Sequence, residues 1–325
     1  MKMKEKHWFY SLLVIGFILA HIYGCEKEDP VTLPELSTIP FTGITSASVI
    51  SGGKITSEGG ASVTSRGVCW ASHPNPAITD NFTSDGTGAG SYISSITGLS
   101  SGIDYFIRAY AINNAGTAYG NEFHFITPVT DIDGNIYCTI IIGKQVWMSM
   151  NLKTTKLNDN TDIPNITENV SWSILSTPAY CWYKNDEDSN KPRYGALYNW
   201  FAVNTDNLCP VGWHVPGEGE WKILSDYVGG DFYASGKLKE QGTLDWTNPN
   251  AGATDHFGFT ALPGGYRTGL ASGSFRTRRY YGWWWTRTEY DLTGARARLM
   301  TYDESEIVSG TGFKRNGYSV RCVKD

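Results

Sequence analysis

The sequence predicts an all-β sandwich followed by a larger α+β domain, and three observations carry that prediction. From about Leu36 to Thr127, short segments of alternating apolar and polar residues are separated by Gly, Asn and Ser clusters, the spacing of sandwich strands. Beyond Pro128, the stretch from Gly217 to Val228 reads as a helix set among further glycine-punctuated strands. Ten of the twelve tryptophans, all but Trp8 and Trp70, lie in this second part, so aromatic packing must organise its core. Composition agrees: 36 glycines, 14% aromatics and only 18% charged residues describe a loop-rich, β-rich chain rather than a helical bundle.

In chain order, Lys2, Lys4 and Lys6 precede the apolar run Trp8 to Ala20, which has the length of a signal-peptide core and is too short to span a membrane comfortably. Residues 1–24 are therefore expected to be removed. Ile22-Tyr23-Gly24-Cys25 resembles the lipobox of bacterial lipoproteins, which implies that Cys25 is acylated and becomes the first mature residue. One acyl chain binds a membrane only marginally, whereas several on one cysteine anchor it. Glu26-Lys27-Glu28-Asp29 is similar to the acidic stretch that routes Bacteroidota lipoproteins to the outer face of the outer membrane, and it reads equally as a solvated tether. Residues 25–35, stiffened by Pro30 and Pro34, form that tether. The expected location is the outer membrane, lipid-anchored and exposed at the cell surface. Loss of Met1 to Gly24 removes three lysines and one glutamate and moves the formal net charge from −5 to −7, which disfavours nucleic acid as a partner.

The sandwich is assigned to residues 36–127. In Tyr105 to Ile112, Tyr105, Ile107, Ala109 and Ala111 point one way and Phe106, Arg108, Tyr110 and Ile112 the other, as in a central strand. Gly59-Gly60 and Gly116 mark hairpins. Leu99, Gly102 and Tyr105, followed by Arg108-Ala109-Tyr110-Ala111 and Asn113 to Gly116, resemble the fibronectin type III pattern and its tyrosine corner. Cys69 falls in a strand as a small buried hydrophobe. Nothing in this unit suggests chemistry, and a spacer role is expected.

The second domain, residues 128–325, is large enough for its own core. Two strands turn near Gly143-Lys144, and Leu197, Trp200 and Phe201 suggest a short helix. The helix at 217–228 carries Glu220 in its first turn and Trp221, Leu224 and Val228 on one face, and Gly229-Gly230 stop it.

A series of phrases runs through this part: Thr130-Asp131-Ile132-Asp133-Gly134-Asn135, Gln145-Val146-Trp147-Met148 with Asn151-Leu152, and Gly195-Ala196-Leu197-Tyr198-Asn199-Trp200. They continue with Gly212-Trp213-His214-Val215-Pro216, Glu220-Trp221, Leu262 to Arg267, Trp283-Trp284-Trp285 and Tyr318-Ser319-Val320-Arg321-Cys322. Together, from about Val129 to Asp325, they resemble the Fibrobacter succinogenes major paralogous domain, a family of bacterial surface modules with no established activity. The resemblance implies a C-type-lectin-like fold, and it implies that Cys209 and Cys322, which fall in two of the phrases, are paired. Cys138 and Cys181 are a weaker second candidate pair. Val215-Pro216, Glu220-Trp221 and Ser319-Val320-Arg321 also resemble the formylglycine-generating enzymes. Those need two cysteines near the C-terminus, and here only Cys322 is present, so the likeness implies architecture without catalysis.

A search for chemistry finds no HExxH, GxSxG, P-loop, dinucleotide or CxxC motif. No catalytic residue, metal ligand or cofactor is assigned. His214 reads as a hydrogen-bonded core histidine and His256 beside Asp255 as a loop pair. Asp131-x-Asp133-x-Asn135 and Asp186-x-Asp188-x-Asn190 open like calcium loops but lack the glutamate at the twelfth position, so they read as a turn and a solvated acidic loop.

One constellation stands out. Seven of the twelve arginines lie between Arg267 and Arg298, interleaved with aromatics, and Arg267, Arg276, Arg278, Tyr280, Trp283, Trp284, Trp285 and Arg287 are the ligand-binding candidates. Aromatic faces stack on sugar rings and guanidinium groups grip carboxylates or sulfates, which suits an acidic glycan or an acidic protein. The competing reading buries alternate tryptophans in the core with arginines stacked outside them. Three readings of function follow, the first two being a surface-anchored, non-enzymatic binding or adhesion module and an unrecognised or degenerate formylglycine-generating-type enzyme. A purely structural outer-membrane lipoprotein is the third.

Overall fold

The computed structural model describes residues 30–270 and 272–325. The signal segment, the acylation position Cys25 and the acidic run Glu26 to Asp29 lie outside the described residues. Among the described residues no helix is long and apolar enough to cross a membrane.

Eight strands build the first domain: β1 (Glu35–Thr42), β2 (Ser48–Ser57), β3 (Ser65–Ala71), β4 (Asn81–Phe82), β5 (Gly90–Thr97), β6 (Asp104–Asn113), β7 (Gly116–Tyr119) and β8 (Phe123–Ile126). One sheet runs β1-β2-β5 and the other β4-β3-β6-β7, with β8 pairing the first half of β6 where β7 pairs the second. This is a fibronectin type III-like sandwich. Ile107, Ala109 and Ala111 of β6 face its core with Val49, Val68 and Ile96. On the opposite face Phe106 stacks on His124 and the Arg108 guanidinium lies 4.2 Å from the centre of the Tyr119 ring. The Tyr105 hydroxyl accepts a hydrogen bond from Ser100 N at 3.0 Å, the upstream backbone contact of a tyrosine corner. Cys69 is fully buried in β3, and burial pushes its thiol up to about 11.

The second domain contains β9 (Val129–Thr130), β10 (Ile136–Tyr137), β11 (Thr139–Ile142), β12 (Gln145–Met148), α1 (Asn169–Ser173), β13 (Tyr180–Cys181), α2 (Glu187–Tyr194), β14 (Leu197–Tyr198) and α3 (Trp200–Val203). It continues through β15 (Trp213–His214), α4 (Glu218–Tyr227), α5 (Asp231–Leu238), β16 (Tyr266–Arg267), β17 (Phe275–Arg276), β18 (Tyr281–Glu289), β19 (Gly294–Thr301), β20 (Ile307–Phe313) and β21 (Val323–Lys324). The sheet β11-β12-β21-β15 puts the C-terminal strand between one from the start of the domain and one that lies between α3 and α4. The sheet β18-β19-β20 contributes side chains to both large core clusters of the domain.

The helix at 217–228 forms as α4, with Gly217 at its N-cap and Glu220 Oε2 accepting from Gly217 N at 2.7 Å. The chain does not stop for long at Gly229-Gly230, because α5 begins at Asp231 and packs beside β20. The expected helix at Leu197 to Phe201 is a single turn, α3, and Leu197 belongs to β14 instead. Asp186 to Asn190, read as a solvated loop, starts α2: Asp186 caps it by accepting from Ser189 N at 3.1 Å. Asp131 closes the turn before β10, with Oδ1 accepting from Asp133 N and Asn135 N and Oδ2 from Asn135 Nδ2 and the Tyr137 hydroxyl.

The domains meet through backbone and side-chain hydrogen bonds and one ion pair. Pro128 O accepts from Gly102 N and Ser101 Oγ, Ser101 Oγ accepts from Thr130 N, and Lys324 Nζ of β21 lies 2.5 Å from Asp104 Oδ2 of β6.

Candidate functional site

The eight ligand candidates do not form one face. The reason lies in β18, whose middle, Trp284 to Thr286, is buried on both faces. Trp284 and Trp285 point to opposite faces of the sheet, yet both are fully buried. One face is covered by a cluster containing Trp147, Trp221 and Met300, and the other by a cluster containing Tyr198, Trp200 and Tyr318. Trp283 is half-buried and stacks on Tyr318 with ring centres 4.9 Å apart. Arg267, also fully buried, donates to Gly273 O, Ile166 O and Thr167 O and lies between the Trp172 and Phe275 rings, so it ties the 166–167 segment to the turn at Gly273. Arg278 donates to Asn190 Oδ1 at 2.8 Å and lies against Tyr183 and Tyr194. Arg276, Tyr280 and Arg287 remain exposed, and the Tyr280 ring packs edge-on against Tyr302. The packing interpretation thus accounts for Arg267, Arg278, Trp284 and Trp285.

Cys209 and Cys322 are joined by a disulfide that spans 113 positions of sequence. Cys138 is exposed and Cys181 buried, and both are free, so the second candidate pair does not form. Cys138 sits in the link between β10 and β11, whereas β13 carries Cys181 into a cluster with Trp172 and Leu197.

His214 is held between two carboxylates, with Nε2 2.5 Å from Glu220 Oε1 and Nδ1 2.5 Å from Asp325 Oδ1. The bond to Glu220, joined by that to Asp325, raises its pKa above the ordinary 6.5 despite partial burial. Burial alone would raise Glu220, but the bonds from His214 and Gly217 N outweigh it and hold the carboxyl below its ordinary 4.5. The histidine contribution to stability is therefore complete below pH 6.5 and is lost as pH rises through the raised folded value. The Glu220 contribution is present above pH 4.5 and is lost as pH falls through the lowered one. We expect the stability difference between the native protein and His214→Gln to be largest near pH 5 to 6 and to shrink on the alkaline side. Thermal midpoints measured from pH 4.5 to 9 check this, and a difference that stays constant across the range would refute it.

A different part of the surface has the shape of a site. A cleft of about 440 Å³ lies between α5 and the loop that follows cis-Pro249, lined by Tyr233, Gly236, Lys237, Gly252, Thr254, His256, Phe257 and Ser305. Helical spacing puts Tyr233, Gly236 and Lys237 on one side of α5, while Ala234 and Leu238 face the core. The loop is pinned to the helix by Thr254 N donating to Gly236 O at 2.8 Å and to itself by Asp255 accepting from Thr260 N and Oγ1. Gly236 and Gly252 meet backbone to backbone: a Cβ on Gly236 would lie 2.7 Å from Gly252 O. Sequence reasoning missed this cleft; the one signal that could have found it is the aromatic pair Phe232-Tyr233 just after the glycine stop. Both rings prove largely exposed, at 74% and 64%.

Residues 140–324 match the Fibrobacter succinogenes major domain. No curated protein matches the chain. Solved structures are similar to parts of it. The sensor domain of the anti-sigma factor RsgI4 of Pseudobacteroides cellulosolvens is 16% identical over 30% of this chain and 97% of its own, with a TM-score of 0.24. A fibronectin type III domain from the human KIAA0970 protein is 13% identical over 31% and 79%, at 0.22. Domains A168–A170 of titin are 19% identical over 30% and 32%, also at 0.22, so the chain spans about a third of that structure's length. The sandwich assignment rests on its own strand order. The family match, by contrast, covers more than half of the chain, from β11 to the end of β21, and the chain belongs to the Fibrobacter succinogenes major domain family.

Proposed function

We propose that this protein is a surface-anchored, non-enzymatic binding module, held at the outer membrane by acylated Cys25 and raised on its fibronectin-like domain, with a glycan or a protein as its ligand. The observation that carries this reading is the state of Cys322. It is bonded to Cys209, the two being 0% and 2% exposed, and it offers no thiol for the oxygen chemistry of a formylglycine-generating enzyme. Arg321, in the phrase that resembles those enzymes, is spent on structure, donating to Phe259 O, Thr260 O and Asn151 Oδ1. The ordered junction at Pro128 supports display, because it keeps the second domain at a set distance and orientation from the tether.

Two measurements on the full-length protein test the proposal. Thiol labelling under native conditions should leave Cys322 unmodified, with no oxygen uptake in the presence of cysteine peptides; a labelled Cys322 with turnover would establish the enzyme instead. Cys25→Ala should move the protein out of the membrane fraction, and unchanged fractionation would remove the anchor.

A further inference from the structure

We infer that the cleft between α5 and the 252–257 loop is the ligand site of this module and that it takes a carboxylate- or sulfate-bearing saccharide. The inference rests on the binding-module reading and adds to it a place and a ligand class. A sugar ring has an apolar face and a hydroxyl edge, and the cleft offers a counterpart to each. Tyr233 contributes an aromatic surface that is largely open to solvent. Phe257 contributes a second, already fixed in place by edge contacts from Tyr227 and His256, with ring centres 6.0 and 4.8 Å away. Rings that are ordered before binding lose little entropy when a ligand stacks on them.

The polar groups follow the same division. The hydroxyls of Thr254 and Ser305 lie beside the glycine backbone of Gly236 and Gly252. Ser305 Oγ donates to Ala251 O at 3.2 Å, which leaves its lone pairs as acceptors for a sugar hydroxyl. Lys237 Nζ is held in position by donating to Val228 O at 2.6 Å, and an ammonium has two further protons to give. Lys237 and His256 line the cleft and no acidic residue does, although the chain as a whole carries a net charge of −5. A local cation in an acidic protein selects an anionic ligand at short range, where local sign outweighs net charge. The volume of about 440 Å³ lies within the usual range for small-ligand sites, about 300–1,000 Å³. A purely apolar ligand would leave the remaining hydrogen-bonding capacity of the hydroxyls and the ammonium unused, and a neutral sugar would leave the charge unused.

The test is an array of uronate-bearing and sulfated oligosaccharides printed beside their neutral parents, probed with the full-length protein in detergent. Binding to acidic members is expected, weakening with salt. Tyr233→Ala and Lys237→Gln should each weaken it by about tenfold or more, whereas Phe232→Ala, at a ring still more exposed but outside the cleft, should not. The unfolding midpoint of Tyr233→Ala should match that of the native protein, which separates lost contact from lost fold. Acidic-glycan binding that survives both Tyr233→Ala and Lys237→Gln overturns the site and leaves the binding module standing. Equal binding to the neutral parents overturns the charge selection. Capture of an acidic peptide with no glycan overturns the ligand class, and no binding to glycans, peptides or proteins overturns both the site and the module.

Discussion

Trp284→Ala lowers the unfolding free energy of the second domain by about 3–5 kcal/mol, the range for deleting a large aromatic side chain from a packed core. The ring is fully buried, with Trp221 6.4 Å away between ring centres, and its Nε1 donates to Asn151 Oδ1 at 2.8 Å. That oxygen also accepts from Arg321 Nη2 at 2.9 Å, so indole and guanidinium share one acceptor inside the core. Burial pushes the Arg321 guanidinium down to about 9, which still leaves it charged at neutral pH. The alanine variant therefore opens a cavity beside a buried cation as well as losing apolar contact. Gly282 shows how tightly the ring is held, since a Cβ there would lie 2.4 Å from the indole. Domains are stable by only about 5–15 kcal/mol, so the shift in denaturation midpoint should be large. Trp283→Ala should cost less, because that ring is half-buried and its Nε1 has no partner. Urea unfolding followed by circular dichroism measures both. A loss below about 1 kcal/mol for Trp284→Ala would mean that the sheet β18-β19-β20 is not packed on both faces.

The contrast between these two rings shows how far the sequence could be read. Alternation along β18 correctly assigns Trp284 and Trp285 to opposite sides, because side chains on a strand must alternate. Whether the second side meets water depends on elements far away in the chain, Trp147 and α4 on one face and Tyr198, Trp200 and Tyr318 on the other, and no local pattern encodes that. The arginine cluster failed for the same reason. Arg267 and Arg278 are close in sequence, yet one binds carbonyls near α1 and the other an amide on α2. Features set within a few residues were legible: the Glu220 contact that opens α4, the Tyr105 corner and the turn at Gly143. The helix that follows α4, α5, was not, because Gly229-Gly230 ends one helix and also lets the chain turn into another. The cleft beside α5 joins Tyr233 to His256 and Phe257 across 23 and 24 residues, and that distance is closed only by the fold.

The Cys209–Cys322 bond should contribute up to about 4.7 kcal/mol, the chain-entropy limit for a loop of about 100 residues, and its removal should be the second large loss. The cross-link ties the segment before β15 to the segment before β21, and β21 in turn pairs with both β12 and β15. Three independent ties thus hold the C-terminal strand: the disulfide, the strand pairing and the buried Arg321. Because the last two survive reduction, the reduced protein should keep a native spectrum and unfold at a lower denaturant concentration. The bond acts mainly on the unfolded chain, which regains the freedom of a long loop once it is cut. Both sulfur-bearing residues are buried, at 2% and 0% exposure, so a mild reductant should act slowly on the folded protein and quickly once denaturant opens it. Urea titrations of the oxidised protein, the reduced protein and the Cys209→Ala, Cys322→Ala double variant measure the effect. Coincident midpoints for the oxidised and reduced forms would show that the loop closed by the bond is already constrained in the unfolded chain. A double variant with no native spectrum would show that strand pairing and Arg321 cannot hold the C-terminal strand without the disulfide.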